Sequence, residues 1–291
     1  MNWTRQTPNY HGTCLLARKV GTPGSKTPCG AVWSAFDGQL TIVRVRRKSK
    51  QRAVPLGQRA GLRVESGLVR HSLRYPAVLF DLDGTLINSA VDLVNSVQYA
   101  LRQVAPDREP PDSEDILVQV GKPLEAIIHE LGYPSDPAST KTFVDTYRSH
   151  FAQHFNDHTQ LYPGVKETLT ALRAAGVKLA LVTTKHQVQA DFTARECGLA
   201  PYFDYIHGFM EGRQHKPHPE PVLTAAERLG ATPEAAIMVG DTELDIEAGR
   251  AAGTATCGVT YGFRPAWFLK SLRPDFLISR ISDLTAIVIS D

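Results

Sequence analysis

The chain has 291 residues, 42% of them hydrophobic, and a formal net charge of +2, so it can bury a real core as one large or two modest domains, and a globular enzyme is the starting expectation. Its longest apolar runs, such as Ala77 to Phe80, are strand-sized and fall far short of the roughly 18 residues that mark a membrane span, which argues for a chain that does not cross a membrane. Four cysteines (Cys14, Cys29, Cys197 and Cys257) show no CxxC spacing, and a chain this long needs no disulfides, so a reducing, cytoplasmic setting is expected.

The small net charge hides an asymmetry. Residues 1–75 carry about 14 Lys and Arg against Asp37 and Glu65, roughly +12, while residues 76–291 come to roughly −10. The basic segment is rich in Gly, Pro, Ser and Thr, and its only strand-like run is Leu40 to Val45, followed at once by the basic Arg46 to Lys50. Pro8, Gly12, Gly21, Pro23 and Gly24 interrupt the long amphipathic helix of a mitochondrial presequence, and the 7 to 15 apolar residues of a secretory signal are missing. A solvated charge run is expected rather than a nucleic-acid site. Residues 1–75 are read as a disordered extension or as upstream sequence ahead of a misplaced start.

From residue 76 the pattern becomes regular. Ala77 to Phe80 is an apolar run that opens into Asp81-Leu82-Asp83-Gly84-Thr85, the signature of a buried parallel strand ending in a polar loop. Further strands are predicted at 178–184, 204–208, 236–241 and 255–260. Helical patterns lie between them at 165–175, 187–197, 219–229 and 242–252, with Gly176, Gly198, Gly230 and Gly253 as stops. Alternating strands and helices predict an α/β fold with a doubly wound parallel sheet, built from residues 76–89 and 163–291.

Residues 90–162 break that alternation and read as helices only. Val91, Val94, Val97, Leu101 and Val104 share one predicted apolar face, and further helices are expected at 123–131 and 138–155. Because this stretch leaves just after the first strand and returns at Tyr162-Pro163-Gly164, it is read as a helical cap over the carboxyl edge of the sheet.

Asp81 and Asp83 emerge together from the first strand, and Asp241 and Asp245 follow a later one at one helical turn's separation. So many carboxylates at strand ends call for a divalent cation, and all-oxygen ligands favour Mg²⁺ over Zn²⁺. Asp241 also suits a helix N-cap ahead of Thr242. Lys216 supplies balancing positive charge, Thr183 and Thr184 end another strand with hydroxyls, and backbone N–H groups after Asp81 and after Thr184 suit an anion. The combination is that of a phosphate site. No ligand role is assigned to His186, His215 or His218.

In order, DLDGT, Thr183 in LVTTK, Lys216 before Pro217, and GDTELD resemble the four motifs of the haloacid dehalogenase superfamily over residues 76–291. The resemblance implies a sheet core with a helical cap between the first two motifs. It also implies Asp81 as nucleophile, and Asp83 as the acid that protonates the leaving alcohol and then the base that activates water. Thr183 and Lys216 would bind the phosphoryl group. Mg²⁺ would sit on the Asp81 side chain, the Asp83 main-chain carbonyl and Asp241, with Asp245 supporting that shell or Lys216. In the cap, Gly121-Lys122-Pro123 resembles the loop directed at the leaving group, so Lys122 either pairs with a substrate anion or is a solvated lysine.

Asp83 separates the chain from the halide-releasing members, which lack it. The runs KPHPEPVL, VGDTELDIEAGRAAG and YGFRP are similar to the phosphoglycolate phosphatase branch, although TTKH replaces the TNK common there. The expected activity is Mg²⁺-dependent hydrolysis of a small organic phosphate ester through an aspartyl-phosphate. A pyrophosphatase or a sugar-phosphate mutase on the same scaffold, or more remotely a non-catalytic binding protein, is the alternative.

Overall fold

The structure is a computed structural model that describes residues 31–36, 39–44 and 72–290. The chain divides into two units, Met1–Arg70 and His71–Asp291. In the first, β1 (Ala31–Phe36) pairs antiparallel with β2 (Gln39–Arg44), Ala31 opposite Arg44 and Phe36 opposite Gln39. Sequence reading finds only the second of these strands, because alanines and a serine dilute the β-branched and aromatic signal of the first. Arg46 to Lys50, Cys14 and Cys29 lie outside the described residues.

The second unit begins a few residues before the composition boundary at 75. β3 (Ser72–Leu73) pairs antiparallel with β12 (Ile289–Ser290), and the Arg74 N–H donates to the Val288 carbonyl at 2.9 Å. Tyr75 is buried and meets Phe276 edge-on, with ring centroids 6.1 Å apart. Charge counting misplaces the boundary because Arg74 belongs by sign to the basic segment and by packing to the fold.

Six strands form the parallel sheet: β4 (Ala77–Phe80), β7 (Lys178–His186), β8 (Tyr205–Phe209), β9 (Ala236–Gly240), β10 (Ala255–Val259) and β11 (Phe276–Ile278), in the order β11-β10-β9-β4-β7-β8. Every residue of β4 and β9 is buried, as expected of strands covered on both faces. Alternation assigns the faces. Val78, Phe80, Leu179, Leu181, Ile237 and Val239 pack with α5 (Val165–Ala174) and α10 (Leu284–Val288). Ala77, Leu79, Ala180, Val182 and Met238 pack with α7 (Glu220–Arg228) and α8 (Glu243–Ala252). The chain runs outward from β4 to β8 and then returns to β9 on β4's other side, so β4 stands at the topological switch point. Short elements escape sequence reading: β11, α10 and α9 (Ala266–Ser271) are too brief for periodicity to register.

The cap comprises α1 (Ala90–Val104), α2 (Ser113–Leu117), α3 (Leu124–Glu130) and α4 (Pro137–His154) around a separate core that includes Leu93, Val97, Leu101, Ile128, Phe143 and Phe151. α4 starts where Asp136 accepts the Ala138 and Ser139 N–H groups and Pro137 takes the first helical position. Val91, expected on the buried face of α1, is exposed, and Leu93 and Ala100 complete the buried stripe. The two linkers to the sheet pair as β5 (Ile87–Asn88) and β6 (Gln160–Leu161). α6 (Gln187–Glu196) follows β7 directly. Among the described residues no helix is long and apolar enough to cross a membrane.

A chain that starts at His71, with an added methionine, should keep the thermal midpoint of the full-length protein. One that starts at Pro76 should melt about 5 °C or more lower, because burying a side chain such as Tyr75 contributes about 2 kcal/mol. Calorimetry of the three proteins checks this, and equal midpoints for the two truncations would show that β3 and Tyr75 contribute nothing.

Candidate active site

Phe80 stands opposite Leu181 on one side and Val239 on the other, so Asp81, Thr183 and Asp241 leave three adjacent strands at the same edge. Asp81 is tied to that edge by its N–H, which donates to the Val239 carbonyl at 2.9 Å. Lys216 reaches the same point from the loop before α7. Its Nζ donates to Asp81 Oδ1 at 2.7 Å, Asp245 Oδ1 at 2.6 Å and the Val182 carbonyl at 2.8 Å, which uses all three ammonium donors.

Asp81, Asp241 and Asp245 are buried, and each offers an oxygen within 4.8 Å of the others. Asp245 has both oxygens engaged: Oδ1 with Lys216, and Oδ2 with the Thr242 N–H at 3.0 Å and hydroxyl at 2.7 Å. Thr242, not Asp241, is the N-cap of α8, and Asp245 closes its capping box. Asp241 accepts from the Thr85 hydroxyl at 2.9 Å and from the Phe263 N–H at 2.8 Å. Asp81 Oδ2 has no hydrogen-bond partner among the described residues. A carboxylate has about four lone-pair sites, of which Asp245 spends the most, so ligand capacity is greatest on Asp81 and then Asp241.

Burial pushes the Asp81 pKa up to about 7 against the pull of Lys216, with Asp245 and Asp83 adding to the rise. Asp241 is raised well above the carboxylate range by burial and then by Asp81 and Asp245. Burial opposes the Lys216 charge, but Asp245 and Asp81 more than offset it, and its pKa rises. One ammonium beside three buried carboxylates leaves negative charge uncompensated. The all-oxygen donor set fits a hard divalent cation in that position.

Asp83 lies apart from this cluster. Its Oδ1 accepts from the Ser89 hydroxyl at 2.6 Å and its Oδ2 lies 3.3 Å from Lys185 Nζ, which also sits 4.1 Å from the centre of the Phe151 ring in the cap. Only the Asp83 main chain is left to join a metal. A small cleft lined by Asp81, Asp83, Thr183, Thr184 and Lys216 brings most of the predicted residues together. Thr183 Oγ1 accepts the Lys185 N–H at 3.1 Å, which leaves its own proton to donate. Of the N–H groups after Asp81, those of Gly84, Thr85 and Leu86 bond back within the loop, which narrows anion binding there to Leu82 and Asp83.

Lys122 lines an adjoining pocket between cap and sheet, where its amine donates to Gln119 at 2.8 Å and lies 3.9 Å from Glu130. Sequence reading passes over Lys185, Ser89, Thr85 and Arg264. The signal for Lys185 is its place directly after Thr184. Arg264 lies in the YGFRP run, buried, with its guanidinium on Glu243 at 2.7 Å and on the cap carbonyls of Leu117 and Val120 at 3.0 and 3.1 Å.

Gly84 has φ +87°, and a Cβ there would stand 2.2 Å from Asp241 Oδ2. Gly176 has φ +88° with nothing within 4 Å of the same added atom. Both Gly→Ala changes cost about 1 kcal/mol for the left-handed backbone. Gly84→Ala should cost at least about 1 kcal/mol more than Gly176→Ala in urea denaturation, and equal losses would contradict the close packing of this loop on Asp241.

The model of the haloacid dehalogenase-like hydrolase family matches residues 78–259. Pyrophosphatase PpaX of Bacillus pumilus is 37% identical over 214 residues, covering 74% of this chain and 96% of that protein. A phosphoglycolate phosphatase of Aquifex aeolicus is 36% identical over 211 residues, covering 72% and 95%. The crystal structure of a predicted phosphoglycolate phosphatase from Haemophilus somnus superposes with a TM-score of 0.68 at 28% identity, covering 74% of this chain and 98% of that one. With the parallel sheet, the inserted cap and the acidic cluster at the switch point, the chain belongs to the haloacid dehalogenase-like hydrolase family and is a phosphatase of its phosphoglycolate phosphatase-like branch.

Proposed function

We propose that the protein hydrolyses a small phosphate monoester, phosphoglycolate-like in kind, in a Mg²⁺-dependent reaction through an aspartyl-phosphate on Asp81. The observation that carries this reading is the asymmetric Asp81 carboxylate: Oδ1 is held by Lys216, and Oδ2 has no partner among the described residues while the side chain lines the cleft.

Asp81 Oδ2 attacks phosphorus as the ester bond to the leaving oxygen breaks, and Asp83 serves as the acid that gives that oxygen its proton. Ser89 and Lys185 orient the Asp83 carboxylate. Asp83 then takes a proton from water as the water oxygen attacks the phosphoryl group, which releases inorganic phosphate and restores Asp81. Thr183 donates its hydroxyl proton to a phosphoryl oxygen, with Thr184 beside it, and Lys216, its three donors spent, holds the nucleophile and offsets phosphoryl charge through space. Asp81, Asp241 and the Asp83 carbonyl would hold Mg²⁺, while Asp245, spent on Lys216 and Thr242, positions the lysine. When bound, the cation supplies neutralisation of phosphoryl charge.

Hydrolysis of pyrophosphate is the second reading. The 37% identity to a protein named a pyrophosphatase supports it. The same steps serve an anhydride, with phosphate as the leaving group. Assay of a panel of phosphate esters and pyrophosphate, with Mg²⁺ and with a chelator, tests both readings, and hydrolysis that survives the chelator would overturn the metal dependence.

Asp81→Asn should lower turnover by about 10³-fold or more with the thermal midpoint of a folded protein. Asp83→Asn should be severely impaired and accumulate phosphoenzyme, because the base for its breakdown is gone. Steady-state rates and acid-quenched protein mass check both, and wild-type turnover by either variant would refute the role assigned to that aspartate.

A further inference from the structure

The pocket beside the catalytic cleft is walled by the cap and by the start of α6, and it shares Asp83, Val120, Gly121 and Thr184 with the cleft. The pocket therefore offers room beside the cleft for a leaving group attached to phosphorus at Asp81. Much of the wall is apolar, with Leu93, Val97, Ile116 and Ile127. Two of its polar side chains stand out. Arg148 on α4 and Gln189 on α6 make no hydrogen bond with any described residue, and Arg148 Nε and the Gln189 amide nitrogen Nε2 are both buried.

A buried donor without a partner costs about 1–3 kcal/mol, so a pair of them lining one pocket is a strong statement about what the pocket receives. The other cations on the wall are occupied. Lys185 faces Asp83 and the Phe151 ring, and Lys122 donates to Gln119. Arg148 is the cation on this wall that has neither an ion pair nor a hydrogen bond to a described residue. The carboxylates lining the pocket are Asp83, already matched by Lys185, and Glu125, which is exposed.

We infer that Arg148 and Gln189 are the specificity-determining residues for the leaving group, binding an anionic oxygen that it carries beyond the bond being broken. This inference rests on the phosphatase reading above and deepens it by naming the substrate class. An oxyanion accepts from both buried donors, and a guanidinium suits a carboxylate or a phosphoryl group equally well by geometry. Because Arg148 belongs to the cap and Gln189 to the helix after β7, an anionic group that accepts from both would join cap and sheet. A leaving group without such an oxygen leaves both donors unmet, which is how a site built for hydrogen bonding discriminates.

The test compares kcat/KM of wild type, Arg148→Met, Arg148→Lys and Gln189→Leu on 2-phosphoglycolate, pyrophosphate and phenyl phosphate, each with Mg²⁺ and each variant checked for its thermal midpoint. The ratio of kcat/KM on an anionic leaving group to that on phenyl phosphate should fall about tenfold or more in Arg148→Met and less steeply in Gln189→Leu. Arg148→Lys should also lose selectivity, because an ammonium does not reproduce the buried Nε–H, and it carries the test should Arg148→Met fail to fold. A fall confined to 2-phosphoglycolate assigns a carboxylate to the pocket, and one confined to pyrophosphate assigns a phosphoryl group. Ratios that change less than threefold on both substrates overturn the inference. A wild type that prefers phenyl phosphate overturns it while the phosphatase reading stands, and Mg²⁺-dependent hydrolysis of none of the three overturns both.

Discussion

The site is organised around the buried ammonium of Lys216. A lysine this far from water is tolerated because Asp81 and Asp245 flank it and the Val182 carbonyl takes the third proton. The same contacts fix one oxygen of Asp81 and leave the other without a partner among the described residues. They also set the local charge: with three buried carboxylates and one ammonium, Asp241 has hydroxyl and amide donors but no ion-pair partner among the described residues. A divalent cation would offset that imbalance, and Gly84 and Gly262 pack tightly around the Asp241 carboxylate.

Labour is divided between sheet and cap. Strand ends, with Lys216 from the loop before α7, supply the groups proposed to act on the phosphoryl unit, on a platform whose backbone is fixed by parallel pairing on both sides of β4. The cap walls the adjoining pocket, and it is joined to the sheet domain by the paired linkers β5 and β6, the Arg264 bridge from Glu243 to the carbonyls of Leu117 and Val120, Lys185 lying between Asp83 and Phe151, and the packing of Phe192 and Phe263 on the cap core. Such an arrangement lets the chemistry stay constant while recognition is set elsewhere.

Most of the sheet and the acidic cluster could be read from the sequence, because both depend on local pattern. Ala77 to Phe80 announces a doubly covered strand by its composition, and carboxylates next to a Gly at its end announce a loop with a task. What could not be read depends on partners distant in the chain. Nothing in the order of residues says that Asp245 spends both oxygens on Lys216 and Thr242, or that Lys122 bonds within its own loop while Arg148 faces the pocket unmatched. Ser72 and Leu73 were hidden for the same reason, since their partner strand lies at the opposite end of the chain, at Ile289 and Ser290.

The proposed chemistry stands or falls on whether Asp81 becomes covalently phosphorylated during turnover. Mixing the wild-type protein with substrate and Mg²⁺, quenching in acid within a turnover and mapping the peptides by mass spectrometry reads this directly. One phosphoryl group is expected on the peptide that holds Asp81, formed and lost as substrate is consumed. Substrate hydrolysis with that peptide unmodified throughout, or a phosphoryl group on another residue, would contradict it.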